Sequence, residues 1–354
     1  MTPALARPRR YAILAEGRFS PMGSKTANGI LRYCPDEAVA IIDSTQAGKS
    51  AADILDYASN VPIVASLDKA LALSPAPDAL LVGIAPTGGD IPAGWRPLLL
   101  RACAARLDLV SGLHTFLAHD AEIAAAARAA GVQIWDLREY PPTSGVARGR
   151  WREVEAKVVL TIGTDARSGK MSTALDIHRH LTDRGVRSAF IATGQTGIVI
   201  MKRGVPADAL RGDFLAGAIE HEILEADRTS DVILVEGQGS ILHQGFSAVS
   251  MGLLHGAAPD AMVLCHQVSR RTNDYGDPID DLPRAIRLHQ EALSFKPSRV
   301  VAVSLLTYDL SESQSLAAIE RAERATGLPA TDPFRFGAAR LADAVNSARK
   351  GLAA

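Results

Sequence analysis

Residues 156–185, AKVVLTIGTDARSGKMSTALDIHRHLTDRG, restrict the fold more than any other stretch. An apolar run over 156–163 reads as a buried strand. A loop opened by Gly163 closes on Gly169-Lys170, and residues 172–183 then carry helical spacing until Gly185 stops them. Strand, glycine-framed loop and helix in that order make a phosphate cradle, because loop N–H groups and the helix N-terminus converge on one anion. Lys170 adds a point charge. The surrounding unit is then a parallel sheet with helices on its faces. Candidate cradle residues are Gly163, Thr164, Asp165, Ser168, Gly169, Lys170, Ser172 and Thr173.

One position breaks the pattern. The residue after the lysine is normally Ser or Thr, whose hydroxyl ligates Mg²⁺; here it is Met171. A thioether is a poor partner for a cation that wants oxygen. Ser172 and Thr173 follow, but a shift of one or two residues turns a helical side chain by about 100–200°. The sequence therefore suits a pyrophosphate held without metal, as in coenzyme A, better than a γ-phosphate transferred with one. No metal site is expected among His221, His243, His255 and His266, which match no zinc-helix spacing.

The rest of this half supplies polar groups at strand ends. DVILVEGQGS (231–240) is a second strand, ending in Glu236. A carboxylate there reads as a metal-site remnant, a general base or an anchor for a substrate amine. Gly237 and Gly239 permit close backbone approach to a ligand. His243 follows this loop and is the first acid–base candidate; His255, ahead of the strand AMVLCH (261–266), is another. In IATGQTGIVI (191–200), Thr193, Gln195 and Thr196 offer hydrogen bonds to a small polar substrate, as does Gln238. His266 ends its strand, and Arg270-Arg271 follow, a pair suited to carboxylates or phosphates. VVAVSLLTYDL (300–310) is a last strong strand, and ATDPFRFG (330–337) a short strand leading into a loop.

The first half alternates strands and helices in the same way. YAILAEG (11–17), AVAIID (38–43), ALLVGIAP (79–86) and VQIWDLRE (132–139) read as strands, and SKTANGILRY (24–33) and HDAEIAAAARAA (119–130) as helices. STQAGKS (44–50) ends like a phosphate loop but has Asp43 where the first glycine belongs, so it reads as a loop after a strand. His114, beyond LDLVSG, sits where a strand end can line a site. PPTSGVARGRWRE (141–153) combines Pro, Gly, Ser and three arginines and reads as a linker between domains 1–145 and 154–354, its charge either solvated or reaching towards an anionic ligand.

Bulk numbers exclude several classes. The 354 residues suffice for two domains, and 38 Lys+Arg against 39 Asp+Glu leave no field to attract nucleic acid or an anionic membrane. No apolar run approaches the roughly 20 residues of a membrane span, and the N-terminal run ends at Glu16, too short for an export signal. Cys34, Cys103 and Cys265 form no disulfide framework, which fits a reducing cytoplasm.

The motifs together resemble a known family. GTDxxxGKM, ATGQTGI, EGQGS followed by His243, and VSMGLLHGAAPDAMVLCH are similar to the D-glutamate N-acetyltransferases (the DgcN type), as are KTANGI (25–30), GGDIPAGWR (88–96) and LDLVSGLH (107–114). The resemblance covers most of the chain. It implies a Rossmann-like N-terminal parallel sheet and a P-loop NTPase-like C-terminal one. It also implies acetyl transfer from acetyl-CoA to the amine of D-glutamate or a related amino acid, and an enolase-superfamily partner enzyme acting on the product. A homo-oligomer is the expected assembly. The segment QVSRRTNDYGDPIDD (267–281) departs from the more apolar, proline-rich stretch of the acetyltransferases, which bears on the substrate. In this reading Glu236 or His243 takes the ammonium proton, N–H groups near 237–240 meet the oxyanion, and Arg270 and Arg271 hold carboxylates. Two other functions remain open: an ATP- and Mg²⁺-dependent kinase or ligase, since GTD also resembles dethiobiotin synthetase, and a nucleotide-binding protein without turnover.

Overall fold

The computed structural model describes residues 8–84, 89–140 and 145–348. In chain order the first half holds β1 (Tyr11–Leu14), α1 (Lys25–Tyr33), β2 (Ala38–Ile42), β3 (Ile63–Val64), α2 (Leu67–Leu71), β4 (Ala79–Val82), α3 (Arg96–Ala104), β5 (Asp108–Ser111), α4 (Ala121–Ala130) and β6 (Ile134–Asp136). Then come β7 (Lys157–Gly163), α5 (Lys170–Asp183), β8 (Ser188–Ile191), α6 (Gln195–Met201), α7 (Gly212–Asp227), β9 (Val232–Val235), α8 (Ser247–Ala257) and β10 (Ala261–Gln267). The chain closes with α9 (Leu282–Glu291), β11 (Arg299–Leu306), α10 (Glu312–Thr326), β12 (Ala330–Thr331), α11 (Pro333–Phe336) and α12 (Ala339–Ser347). Among the described residues no helix is long and apolar enough to cross a membrane.

Two six-stranded sheets result, ordered β3-β2-β1-β4-β5-β6 and β12-β11-β10-β7-β9-β8. Every pairing in both is parallel. Strands covered on both faces need apolar residues at every position rather than at alternate ones. That is why YAIL, ALLV and VILV are buried throughout. On one face of the first sheet Leu14, Ile42, Leu80 and Leu109 pack with Leu99, Cys103 and Ile123.

Local signals set the helix ends. Asp120 caps α4 by accepting from the N–H groups of Glu122 and Ile123, and Gly131 ends it in the left-handed conformation (φ 69°). The ATDPFRFG segment runs from β12 into the short helix α11 rather than a loop, because Asp332 caps it and Pro333 starts it.

The chain divides into two compact units that do not follow its linear halves. The first is Met1–Pro141 with Gln195–Ala209; the second is Pro142–Gly194 with Leu210–Ala354. Residues 195–209 thus leave the second unit after β8, form α6 in the first, and return. Apolar and polar contacts both hold them there. Gly29 of α1 leaves room for Thr196 and Ile200, and the hydroxyls of Thr26 and Thr196 lie 2.9 Å apart. Residues 145–153 differ from the linker expected. The N–H groups of Arg148 and Arg150 donate to Glu220 of α7, and Gly145 lies against Gly217. Two of the arginines there are engaged locally: Arg150 pairs with Glu153, and Arg152 stacks on Trp151.

The α1–α6 contact gives a stability test. Gly29→Ala improves intrinsic helix propensity by about 1 kcal/mol, but its Cβ would lie 2.6 Å from Thr196 Cγ2. Overpacking costs about 1–3 kcal/mol, so urea denaturation is expected to show a net loss. Adding Thr196→Ser, which removes that methyl and keeps the hydroxyl, should restore stability relative to Gly29→Ala alone.

Candidate functional site

The second unit gathers its polar groups at the carboxyl ends of β7, β9 and β10. Five residues, Thr164 to Ser168, separate Gly163 from Gly169, one more than the usual phosphate-loop spacing. Two left-handed residues, Arg167 (φ 57°) and Gly169 (φ 88°), turn this longer loop onto α5. The N–H groups of Arg167 and Gly169 meet no acceptor among the described residues. Lys170 is buried, its Nζ donating to Asp165 O at 2.8 Å and Ser168 Oγ at 3.1 Å. The loop is closed around its own lysine and retains N–H donors without an acceptor among the described residues.

Met171 is buried at 7% exposure, so the thioether joins the core beneath the helix. Ser172 is half-buried. Thr173, expected in the cradle, faces the sheet instead: its Oγ1 lies 2.7 Å from Ser304 Oγ on β11. The rotation of a helix by 100° per residue places it there.

Asp165 is the charge at the loop's centre. Its Oδ1 accepts from Ala166 N–H at 2.7 Å, and its Oδ2 lies 3.2 Å from Arg270 Nη2. Arg270 also donates to Ala166 O, Thr272 O and Asp274. All three guanidinium nitrogens are therefore engaged with the protein, which offsets an acid inside a phosphate cradle. Arg270 braces the loop, and the exposed Arg271 is the arginine left facing solvent.

His243 is 1% exposed. Its Nδ1 accepts from Gly245 N–H at 3.1 Å, so the ring proton sits on Nε2. Phe246 stacks on the ring at 4.6 Å between centroids, and Tyr275 approaches at 5.1 Å. The Nε2 lies 3.8 Å from Asp165 Oδ1, too far for a hydrogen bond, and has no other partner. Asp165 Oδ2 likewise has no hydrogen-bond donor.

Glu236 is buried at the end of β9. Its Oε2 accepts from the N–H groups of Thr193 (2.9 Å) and Gly194 (3.3 Å), and its Oε1 from Gln238 Nε2 (2.9 Å). Thr193 Oγ1 donates to Glu236 O and accepts from Gln238. Glu236, Thr193 and Gln238 thus form one network. Ser240, which sequence reasoning did not single out, donates to Gly163 O at 2.7 Å and ties the β9 loop to the cradle.

His266 also joins the cradle, with Nδ1 2.9 Å from Thr164 Oγ1. Burial, reinforced by the Arg271 charge, pulls it down to about 4, so it is a neutral imidazole at physiological pH.

Three expected site residues lie elsewhere. Gln195 and Thr196 belong to the first unit, where they contact Arg138 and Thr26. His255 sits in the last turn of α8, which leads into the amino end of β10, the opposite edge from the cradle. There its Nε2 meets Ala292 O and its ring meets Phe295. A loop just after a strand and a helix just before one look alike in sequence, yet they fall at opposite sheet edges. In the first unit the exposed His114 donates its N–H to Gly89 O.

Two parallel α/β units, the second with a phosphate-type loop whose metal-side hydroxyl is a buried methionine, define the class. The chain belongs to the DUF1611 family, whose Rossmann-like N-terminal domain matches residues 44–140 and whose P-loop C-terminal domain matches residues 145–342. It is 38% identical over 335 residues to the D-glutamate N-acetyltransferase of Tritonibacter scottomollicae, covering 92% of this chain and 94% of that one. A protein of the same name from a Pseudoalteromonas species is 35% identical, over 73% and 78% of the two chains. The crystal structure of a DUF1611 family protein from Anabaena variabilis superposes with a TM-score of 0.90 at 40% identity, over 96% of this chain and 99% of that one.

The buried histidines give a pH test. His266 and His289 are both lowered to about 4, chiefly by burial. An unfolded chain protonates them near 6.5. Between about pH 6.5 and 4 the unfolded state therefore binds more protons, and stability falls as pH falls through that window. NMR titration of the imidazole carbons should show both rings neutral at pH 5.5; a midpoint near 6.5 for His266 would contradict its burial against Thr164.

Proposed function

We propose that the chain is an acetyl-CoA-dependent N-acetyltransferase acting on D-glutamate or a related amino acid. The observation that carries this reading is Met171 buried where a metal-ligating hydroxyl normally stands, in a loop that keeps its lysine and its outward N–H groups. Full-length relatives named for that activity support it.

The residues present fit a pyrophosphate. The N–H groups of Arg167 and Gly169 and the start of α5 would hold it, with Lys170 turning from Asp165 O and Ser168 Oγ to meet it. Acetyl-CoA would supply an activated acyl group. His243 then acts as a donor: with Nδ1 tied to Gly245 N–H, its Nε2 is left to meet the negative charge that grows on the acyl oxygen. Glu236 takes the ammonium proton. A carboxylate offers about four acceptor positions, and the N–H donors on Glu236 fix its orientation beside Gly237. Arg271 and His266 are the substrate-facing groups next to the cradle, while Arg270 keeps the loop in shape. The protein works in the cytoplasm as a homo-oligomer, and an enolase-superfamily enzyme consumes its product.

Calorimetry against acetyl-CoA and against ATP, each with and without Mg²⁺, separates this reading from the MgATP-dependent ligase. Acetyl-CoA should bind, and EDTA should leave acetyl transfer intact. Lys170→Ala should weaken acetyl-CoA about 10- to 150-fold, the worth of a hydrogen bond to a charged group. Glu236→Gln should lower kcat about 10²–10⁴-fold with little change in cofactor affinity. Mg²⁺-dependent ATP binding without acetyl-CoA binding would overturn the acetyltransferase reading.

A further inference from the structure

Among the described residues of the first unit, Arg138 is a buried side chain whose charge the fold leaves under-used. It follows β6 at the carboxyl edge of the first sheet and is 6% exposed. A guanidinium has five N–H donors on three nitrogens and cannot shed its charge. In Arg138 only Nη2 is engaged, at 2.9 Å from Asp208 Oδ2 and 3.3 Å from Gln195 Oε1. Nε and Nη1 are buried with no hydrogen-bond partner among the described residues. Arg270 in the second unit shows the contrast, since all three of its nitrogens are bonded. Burial of this guanidinium works against its charge, and Asp208 only partly compensates.

The neighbours of Arg138 hold it in place and leave the unmet donors. Gly112, at the end of β5, has no Cβ to collide with Gln195, whose Cγ would otherwise lie 2.7 Å away. Gln195 is thereby seated against the β5 end with its amide oxygen on Arg138. Asp208 is the more accessible partner: its side chain is 39% exposed against 6% for Arg138. The contact between the pair joins its Oδ2 to Nη2, and Nη1 has no hydrogen-bond partner among the described residues. A carboxylate set end-on to a guanidinium takes both terminal nitrogens in two parallel hydrogen bonds, a stronger arrangement than one. In open parallel sheets, ligands bind outside the carboxyl ends of the strands.

We propose that the first unit has a carboxylate-binding site on Arg138, at which a small carboxylate displaces Asp208 and bridges Nη1 and Nη2. Asp208 occupies the site in the ligand-free chain as a built-in carboxylate. The single guanidinium charge balances one carboxylate, whereas a phosphate dianion would bring a second charge. This site is independent of the acetyltransferase reading, which rests on the phosphate loop of the other unit.

The test uses the full-length protein with sodium glutarate and sodium acetate as probes, and chloride and inorganic phosphate at matched ionic strength as controls. A ligand selective for the folded state raises Tm. Glutarate or acetate should raise Tm above chloride, and calorimetry should give a Kd at least about tenfold weaker in Arg138→Lys, which loses the planar fork. Asp208→Asn, a change at a part-exposed side chain, removes the competing carboxylate and should tighten binding several-fold. A purely structural Arg138–Asp208 pair would instead lose stability in Asp208→Asn with no gain in carboxylate affinity. Lys170→Ala should leave the carboxylate response unchanged. The site is overturned if carboxylates stabilise neither wild type nor Asp208→Asn beyond chloride, which would mean water alone satisfies the guanidinium. It is equally overturned if the response survives Arg138→Lys and vanishes in Lys170→Ala, or if phosphate alone stabilises through Arg138. Should Arg138→Lys fail to fold, Asp208→Asn decides.

Discussion

The second unit depends on how closely the ends of β7 and β9 approach. A Cβ on Gly237 would lie 1.7 Å from Thr161 O, and Gly237 N–H donates to Thr161 Oγ1 at 3.0 Å. No side chain larger than hydrogen fits there without moving a strand. That contact sets the position of Glu236 on one side and of Gln238 on the other. Ser240 then reaches Gly163 O, and the β9 loop becomes one wall of the cradle. Glycine at 237 is thus required by backbone proximity inside the protein, in addition to any approach of a ligand.

Electrostatics in the cradle follow from one acid. Asp165 is a negative charge in a loop whose dipoles favour anions. Arg270 offsets it at 3.2 Å and pairs with Asp274 on its own loop. The 267–281 segment is held to the Gly163–Lys170 loop by this bridge. Tyr275 from the same segment lies over the His243 ring. A change in that segment therefore alters the surroundings of the histidine and the loop together.

Residues 195–209 show a different constraint. Glu236 fixes Thr193 and Gly194, the last residues of the second unit before the chain enters the first. In the first unit, Arg138 holds both ends of the excursion, through Gln195 and Asp208. A segment that reads in sequence as part of one domain is covalently framed by it and packed in the other. Its apolar residues, Ile198, Val199 and Ile200, are buried by that packing.

Both parallel sheets, the strand–loop–helix at Gly163–Lys170 and the role of Gly131 at a helix end were legible in sequence, because burial of parallel strands and local capping leave short-range patterns; the cap that Asp332 gives α11 was not read. The departure of Met171 was legible too, and its burial accords with an apolar side chain in that place. Contacts between residues distant in the chain were not. Nothing near His255 or His243 tells which sheet edge each occupies; the order of helix and strand in space decides it. Nothing near Gln195 announces that its partner is Arg138, 57 residues earlier. The sequence alone determined that the chain builds two α/β sheets and one P-loop-type strand–loop–helix, since periodicity and glycine placement act locally. Only the tertiary structure decided that Arg270 serves the loop, that Thr173 faces the sheet and that residues 195–209 belong to the first unit, because each rests on long-range packing that no local pattern encodes.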